Sequence, residues 1–260
     1  MDRVQVRENG NNNAPLILFL HGGGVSGWMW EQQMRDFAAY RCLAPDLPGH
    51  GSKHADVGFS IQRSAEEYIR LLEENANGQK IIVVGFSLGA QVLIQMLSMK
   101  PNLIDCAIIN SALVKPMKIA KRWIGPTIKM SHPLVKIRWF SKLQARTLYI
   151  PEKDFERYYE ESCRMKQETL ARVMEENMSF EIPPGFREAT GSILVTVGAK
   201  EKAVMKKSAA EIVQANPNCR GAIIPNIGHG ASLAMPDFFN RMAEDWIREG
   251  AFPERCKEIG

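Results

Sequence analysis

The chain has 260 residues, 45% hydrophobic and 24% charged, with 33 Lys and Arg against 29 Asp and Glu for a net charge of +4. That composition excludes a disordered or fibrous chain, and so small a mean charge predicts no nucleic-acid partner. The length fits one large domain, or one domain carrying an insertion.

Val4-Gln5-Val6 alternates and is expected to form an antiparallel edge strand. Continuous apolar runs follow at Leu16–Leu20, Cys42–Ala44, Ile81–Val84, Ile104–Ile109, Ile193–Val197 and Ala222–Ile224. Runs without alternation suit parallel strands covered on both faces. Between them lie helical patterns near 28–39, 60–76, 88–99, 203–215 and 236–248. Strands alternating with helices predict an α/β fold, a doubly wound, mostly parallel sheet of about seven strands.

From Ala112 to about Thr190 the alternation stops. Only Thr147–Ile150 could be a strand, and helix-like pieces are punctuated by Pro116, Pro126, Pro133, Pro151 and Pro183-Pro184-Gly185. A stretch this long is not a structureless loop in a compact domain. It predicts a helical cap at 112–190 inserted into a core made of 1–111 and 191–260.

No apolar run reaches the roughly 20 residues of a membrane span, and the first residues lack the profile of an export signal. The five cysteines, Cys42, Cys106, Cys163, Cys219 and Cys256, are scattered and form no CxxC pair. These features lead us to expect reduced thiols in a cytoplasmic protein with no transmembrane segment, as a monomer or homodimer.

The strongest chemical signal is Lys80-Ile-Ile-Val-Val-Gly85-Phe86-Ser87-Leu88-Gly89, an apolar strand entering G-x-S-x-G and then an amphipathic helix. A serine at such a junction occupies a tight strand-to-helix turn, and its neighbours two positions away must be small for the turn to pack. The helix N-terminus beside it offers free N–H groups to developing negative charge. Upstream, His21-Gly22-Gly23-Gly24 closes another apolar strand, where glycines let the backbone approach a ligand. The N–H groups of Gly23 or Gly24 with that of Leu88 would form a two-donor oxyanion hole.

Ile227-Gly228-His229-Gly230 follows the last apolar run, and of the five histidines only His229 sits in a small-residue loop free to reach Ser87. After Ile193–Val197 comes Gly198-Ala199-Lys200-Glu201, a carboxylate past a strand end in the order Ser…Glu…His. The alternative for Glu201 is a solvent-exposed glutamate between two lysines. The loop after Ile104–Ile109 supplies Asn110 and Ser111, no carboxylate.

These segments, with Asp46-Leu47-Pro48-Gly49-His50-Gly51, resemble in identity and order the cap-bearing, cofactor-free members of the α/β-hydrolase fold family. That group includes carboxylesterases, thioesterases, haloperoxidase-like esterases and carbon–carbon bond hydrolases. The resemblance implies Ser87 as nucleophile, His229 as base, Glu201 as acid and Asp46 as a turn former. It also implies an acyl-enzyme mechanism on an ester, thioester or related acyl bond of a small molecule. A carbon–carbon bond hydrolase, or a ligand-binding or sensor protein of the same fold with slow or no turnover, stands as the alternative. The chain departs from the family in having room for one strand before Leu16 where a hairpin is usual, and a Glu where Asp is commoner. Haloalkane dehalogenases and epoxide hydrolases carry a carboxylate where this chain has Ser87. No HExxH, zinc-spaced cysteines, P-loop or GxGxxG after a strand is present, so neither metal nor cofactor is expected.

The cap is electrically lopsided. Between 112 and 151 there are nine Lys and Arg and no acid, whereas 152–181 carries nine acids against five cations. Trp123 and Trp139 lie among the cations and, with Trp28 and Phe86, are candidates for the substrate pocket. A cap helix with one face on the core and one in water would explain such mixing. Cations facing the cleft or a membrane would instead favour an anionic or lipid-like acyl substrate.

Overall fold

The computed structural model describes residues 6–54, 58–117 and 122–259. Eight strands form one sheet: β1 (Val6–Asn9), β2 (Leu16–Leu20), β3 (Arg41–Pro45), β4 (Ile81–Phe86), β5 (Cys106–Asn110), β6 (Ser192–Gly198), β7 (Cys219–Ile224) and β8 (Lys257–Ile259). Their spatial order is β1-β3-β2-β4-β5-β6-β7-β8, with β1 and β8 antiparallel at the two edges and the rest parallel. Val4 and Gln5 of the expected edge strand lie outside the described residues; Val6 begins β1.

Strand β2 shows why the central runs read as unbroken apolar sequence. Leu16, Leu18 and Leu20 enter one core cluster, and Ile17 and Phe19 enter the other, on the opposite face. Successive side chains leave a strand on opposite sides, so a strand covered on both faces has no polar position to spare. On the first face lie α2 (Ile61–Asn75) and α3 (Leu88–Met99); α1 (Glu31–Asp36) lies on the other. Helix α2 is capped by Ser60, whose Oγ accepts from the N–H of Arg63, and it buries Ile61, Ala65, Tyr68, Ile69 and Leu72 at helical spacing.

The chain between β5 and β6 carries α4 (Ile124–Ser131), α5 (Arg138–Thr147), α6 (Phe155–Arg164) and α7 (Gln167–Ser179) among its described residues. Past β6, α8 (Ala203–Ala215) precedes β7, and a short α9 (Ala231–Ala234) leads into α10 (Pro236–Glu249). Helix α10 starts with Pro236, ends at Gly250 with φ 65°, and packs Phe238, Phe239, Met242, Trp246 and Ile247 into the second cluster.

Two expectations are corrected. Thr147–Ile150 is not a strand: Tyr149 N–H bonds Arg146 O and Ile150 N–H bonds Ala145 O, closing the end of α5. No slot in the sheet was open to it, because β5 and β6 pair directly. The sheet has eight strands, in keeping with the expected seven or so, and the Lys-Glu-Ile of β8 is too short and polar to register as an apolar run. The helix foreseen at 28–39 is a tight turn at Gly27–Trp30, buried throughout, followed by the six-residue α1. Trp30 lies against Phe19, its ring centroid 5.1 Å away, so core packing overrides helical period there.

Candidate active site

Ser87 joins β4 to α3 with φ 52° and ψ −111°, a conformation that a residue bearing a Cβ adopts only under constraint from its surroundings. The constraint is the close packing of the turn. A Cβ at Gly85 would lie 2.6 Å from Gly89 O, and one at Gly89 would lie 2.3 Å from Leu20 O. The two glycines are therefore what lets α3 start against the ends of β4 and β2.

Ser87 Oγ is 3.0 Å from His229 Nε2, and His229 Nδ1 is 2.9 Å from Glu201 Oε2. The other oxygen of Glu201 accepts from Ser111 Oγ–H at 2.7 Å and from Gly198 N–H at 3.0 Å. Burial by itself would raise the Glu201 carboxyl, but bonding to His229, Gly198 and Ser111 outweighs it and holds the group below its ordinary value. An ionised Glu201 can only accept, so Nδ1 of His229 carries the proton and Nε2 is left to accept from Ser87. The loops holding these side chains are tied together by the Lys200 N–H bond to Ile227 O. The ring of Phe86 lies 4.9 Å from that of His229.

Ser87 and His229 open onto a cavity of about 430 Å³, which Gly23, Gly24 and Leu88 also line. The remaining wall is largely apolar and comes mostly from the segment between β5 and β6, including Val135, Leu148, Met165 and Leu170. None of Trp28, Phe86, Trp123 and Trp139 is among its lining residues. Trp123 and Trp139 are exposed instead, and Trp28 is buried with its Nε1–H donating to Glu161 Oε2 at 2.9 Å. An aromatic residue marks a pocket only if its element faces inward, which composition cannot tell. Nor does any lysine or arginine line the cavity among the described residues, so the described cations of 112–151 do not face the cleft.

Sequence reasoning missed Glu161 of α6. Its carboxylate lines the cavity while accepting from Ser26 Oγ–H at 3.0 Å and from Trp28 Nε1–H, which fastens α6 to the core. Burial raises its carboxyl more than those two donors lower it. Nothing distinguishes it in sequence from the eight other acids of 152–181. The loop after β5 offers no carboxylate of its own; through Ser111 it supplies a hydroxyl donor to one.

Asp46 sits beside this chemistry as a buried hub. It accepts from Arg7 Nη1, Gly27 N–H, Ser52 N–H and Ser52 Oγ–H at 2.7–2.9 Å. Burial would raise it, and these donors more than reverse that, leaving it well below the ordinary range.

His21 and His50 are neutral in the fold. His21 Nδ1–H donates to Gly22 O at 2.7 Å, and Nε2 accepts from Leu47 N–H at 2.8 Å, so protonation would destroy the second bond. Burial, chiefly, lowers His21 from 6.5 to about 3 and His50 from 6.5 to about 4. Between these values and 6.5 the unfolded chain binds protons that the folded chain refuses, so stability must fall as pH falls through that window. The expected loss is about 1.4 kcal/mol per group per pH unit, read from urea midpoints between about pH 7 and about pH 5. A stability unchanged over that interval would contradict neutral burial.

A family model described as "Alpha/beta hydrolase family" matches residues 17–242. An esterase of Mycobacterium tuberculosis is 37% identical over 94 residues, a match covering 35% of this chain and 31% of that protein. The match thus spans about a third of that relative's length. A 2-hydroxy-6-oxo-6-phenylhexa-2,4-dienoate hydrolase of Burkholderia cepacia is 22% identical over 277 residues, covering 95% of this chain and 92% of that protein. Among solved structures, an esterase of Exiguobacterium antarcticum superposes with a TM-score of 0.79 at 15% identity, over 95% of this chain and 96% of that one.

Proposed function

The chain belongs to the alpha/beta hydrolase family, and from that premise we propose that it is a serine hydrolase cleaving an ester, thioester or related acyl bond of a small molecule. The observation that carries this reading is the unbroken chain of hydrogen bonds from Ser87 through His229 to Glu201 at the floor of a largely apolar cavity. His229 Nε2 takes the Ser87 proton, and the alkoxide attacks the substrate carbonyl. The N–H groups of Leu88 and of Gly23 or Gly24 receive the resulting oxyanion. Glu201 stabilises the imidazolium without taking its proton, which passes to the leaving group. Water, activated by the same imidazole, then releases the acyl group from Ser87.

A fluorophosphonate probe tests this directly. It should label the wild-type chain and fail to label Ser87→Ala. An unlabelled wild type would favour a ligand-binding role in the same cavity. The full-length likeness to the Burkholderia cepacia hydrolase favours, as a second reading, cleavage of a carbon–carbon bond beside a carbonyl. Turnover of a vinylogous diketone in preference to aryl esters would select it.

Substrate charge follows from the walls. Glu161 contributes a carboxylate, and His50, whose Nδ1–H bonds Pro48 O, turns an acceptor Nε2 that is buried without a partner among the described residues. Acceptors without a facing cation suit a neutral acyl compound bearing a hydroxyl or amide donor, and they disfavour an anionic one. Unit charges several ångströms apart at a partly screened site interact by about 1–2 kcal/mol. Glu161→Gln is therefore expected to raise kcat/KM for a carboxylate-bearing ester over its neutral analogue by about 10-fold. An unchanged ratio would remove Glu161 from the specificity argument.

A further inference from the structure

Every strongly exposed large apolar side chain among the described residues lies between positions 117 and 149. Trp123 is 65% exposed, Met130 75%, Trp139 68% and Leu143 57%. They belong to the stretch 112–151, where nine cations meet no acid; Lys118 and Lys121 of these lie outside the described residues. Two of the cations are committed elsewhere, Lys115 to Glu211 and Arg138 to Glu156. Lys142 lies over the ring of Phe155. Arg122, Lys129, Lys136 and Arg146 are exposed, with no carboxylate in ion-pair range among the described residues.

The arrangement inverts that of an ordinary surface helix. In α5 the buried positions are the small residues Ser141 and Ala145, and the outer stripe at i, i+3, i+4 and i+7 is Trp139, Lys142, Leu143 and Arg146. In α4, Ile124 and Ile128 face inward, while Lys129 and Met130 are exposed, as is Trp123 just before the helix. The short turn His132–Lys136 joins the two helices and contacts both, so their exposed residues are carried on one continuous stretch of chain. Large apolar residues left in water next to unpaired cations have a common solution. Indole rings and leucines enter the headgroup boundary of a bilayer, and lysines and arginines meet its negative charge.

We propose that this outer face of α4 and α5 docks the protein peripherally on a membrane rich in anionic phospholipid. Charge complementarity decides the occupant: a second copy of the chain would set these cations against one another, and a neutral bilayer would leave them unmatched. No helix among the described residues is long and apolar enough to cross a membrane, so the attachment is to the surface. The same segment lines the catalytic cavity on its inner side through Val135, Gln144 and Leu148, which places the bilayer directly behind the substrate wall.

The test is sedimentation of the whole protein with phosphatidylcholine vesicles, with and without phosphatidylglycerol, followed by tryptophan emission. Trp28, Trp30 and Trp246 are buried, so a blue shift on binding reports Trp123 and Trp139. Binding is expected to the anionic vesicles only, with a blue shift, and with release at about 1 M salt, where the Debye length is about 3 Å. The double variant Lys129→Gln/Arg146→Gln should bind about 25-fold more weakly, at a factor of about 5 for each cation. Trp139→Ser/Leu143→Ser should lose the part of the blue shift that Trp139 contributes and bind anionic vesicles more weakly. All these positions are exposed, and neither variant should alter hydrolysis of a soluble ester. Ser87→Ala should bind vesicles as the wild type does, so docking is judged separately from catalysis. Equal binding to both vesicle types would overturn the proposal, as would no binding. A dimer that dissociates in Trp139→Ser, with no vesicle binding, would assign the face to a second copy instead.

Discussion

Ser87→Ala is expected to lower kcat by about 100,000-fold or more, His229→Ala by a similar factor, and the double variant no further than either single change. The reason is that Ser87 Oγ and His229 Nε2, 3.0 Å apart, act as one unit in the proposed mechanism. A serine without its base is a weak nucleophile, and a base without the serine has nothing to activate. Residual hydrolysis would come from binding and from the backbone donors of Leu88 and the glycine loop. The measurement is single-turnover acylation by an aryl ester, with thermal melts to show that the variants fold. A double variant whose loss equals the product of the single losses would mean independent action, and the proposed mechanism would not survive it.

Glu201→Gln should cost about 1,000- to 10,000-fold in kcat. A glutamine can offer its amide N–H to Nδ1 of the imidazole, and the ring then moves its proton to Nε2, where it can no longer accept from Ser87. Ser111→Ala is expected to be milder, about 10-fold, because it removes one charge-assisted hydrogen bond while leaving the Gly198 N–H on the same oxygen. Ser111 is a positioning residue in this scheme. A distinguishing readout is the proton resonance of the Nδ1–H bridge, which should shift in Ser111→Ala and vanish in Glu201→Gln. Wild-type kcat in Glu201→Gln would leave Glu201 a buried structural carboxylate with no part in the mechanism.

Much of the architecture was legible because both of its signals are local. Unbroken apolar runs mark strands covered on two faces, and β2, β4, β5 and β6 fall where such runs lie. Gly85 and Gly89 are written into the chain because a Cβ at either would strike backbone that no side-chain adjustment can move. What escaped was short, polar or decided by partners. Strand β8 exists because Lys257–Ile259 finds the free edge of β7, and Thr147–Ile150 stays out of the sheet because no edge is free beside β5.

By itself the sequence determined the alpha/beta order of elements, the residues at the strand-to-helix turn and the loop histidine, since each depends on neighbours a few positions away. It also determined the uneven charge of 112–151, which is a matter of composition. Only the tertiary structure decided which of those residues meet. The 142 positions separating Ser87 from His229, and the 135 separating Ser26 from Glu161, are closed by the packing of the sheet and of α6. It also decided direction. Trp139, expected in the pocket, turns outward because small residues, Ser141 and Ala145, are what fit beneath α5, whereas Trp28 is buried in the core. A helix pattern records that two faces differ, and the neighbours it packs against determine which one is inside.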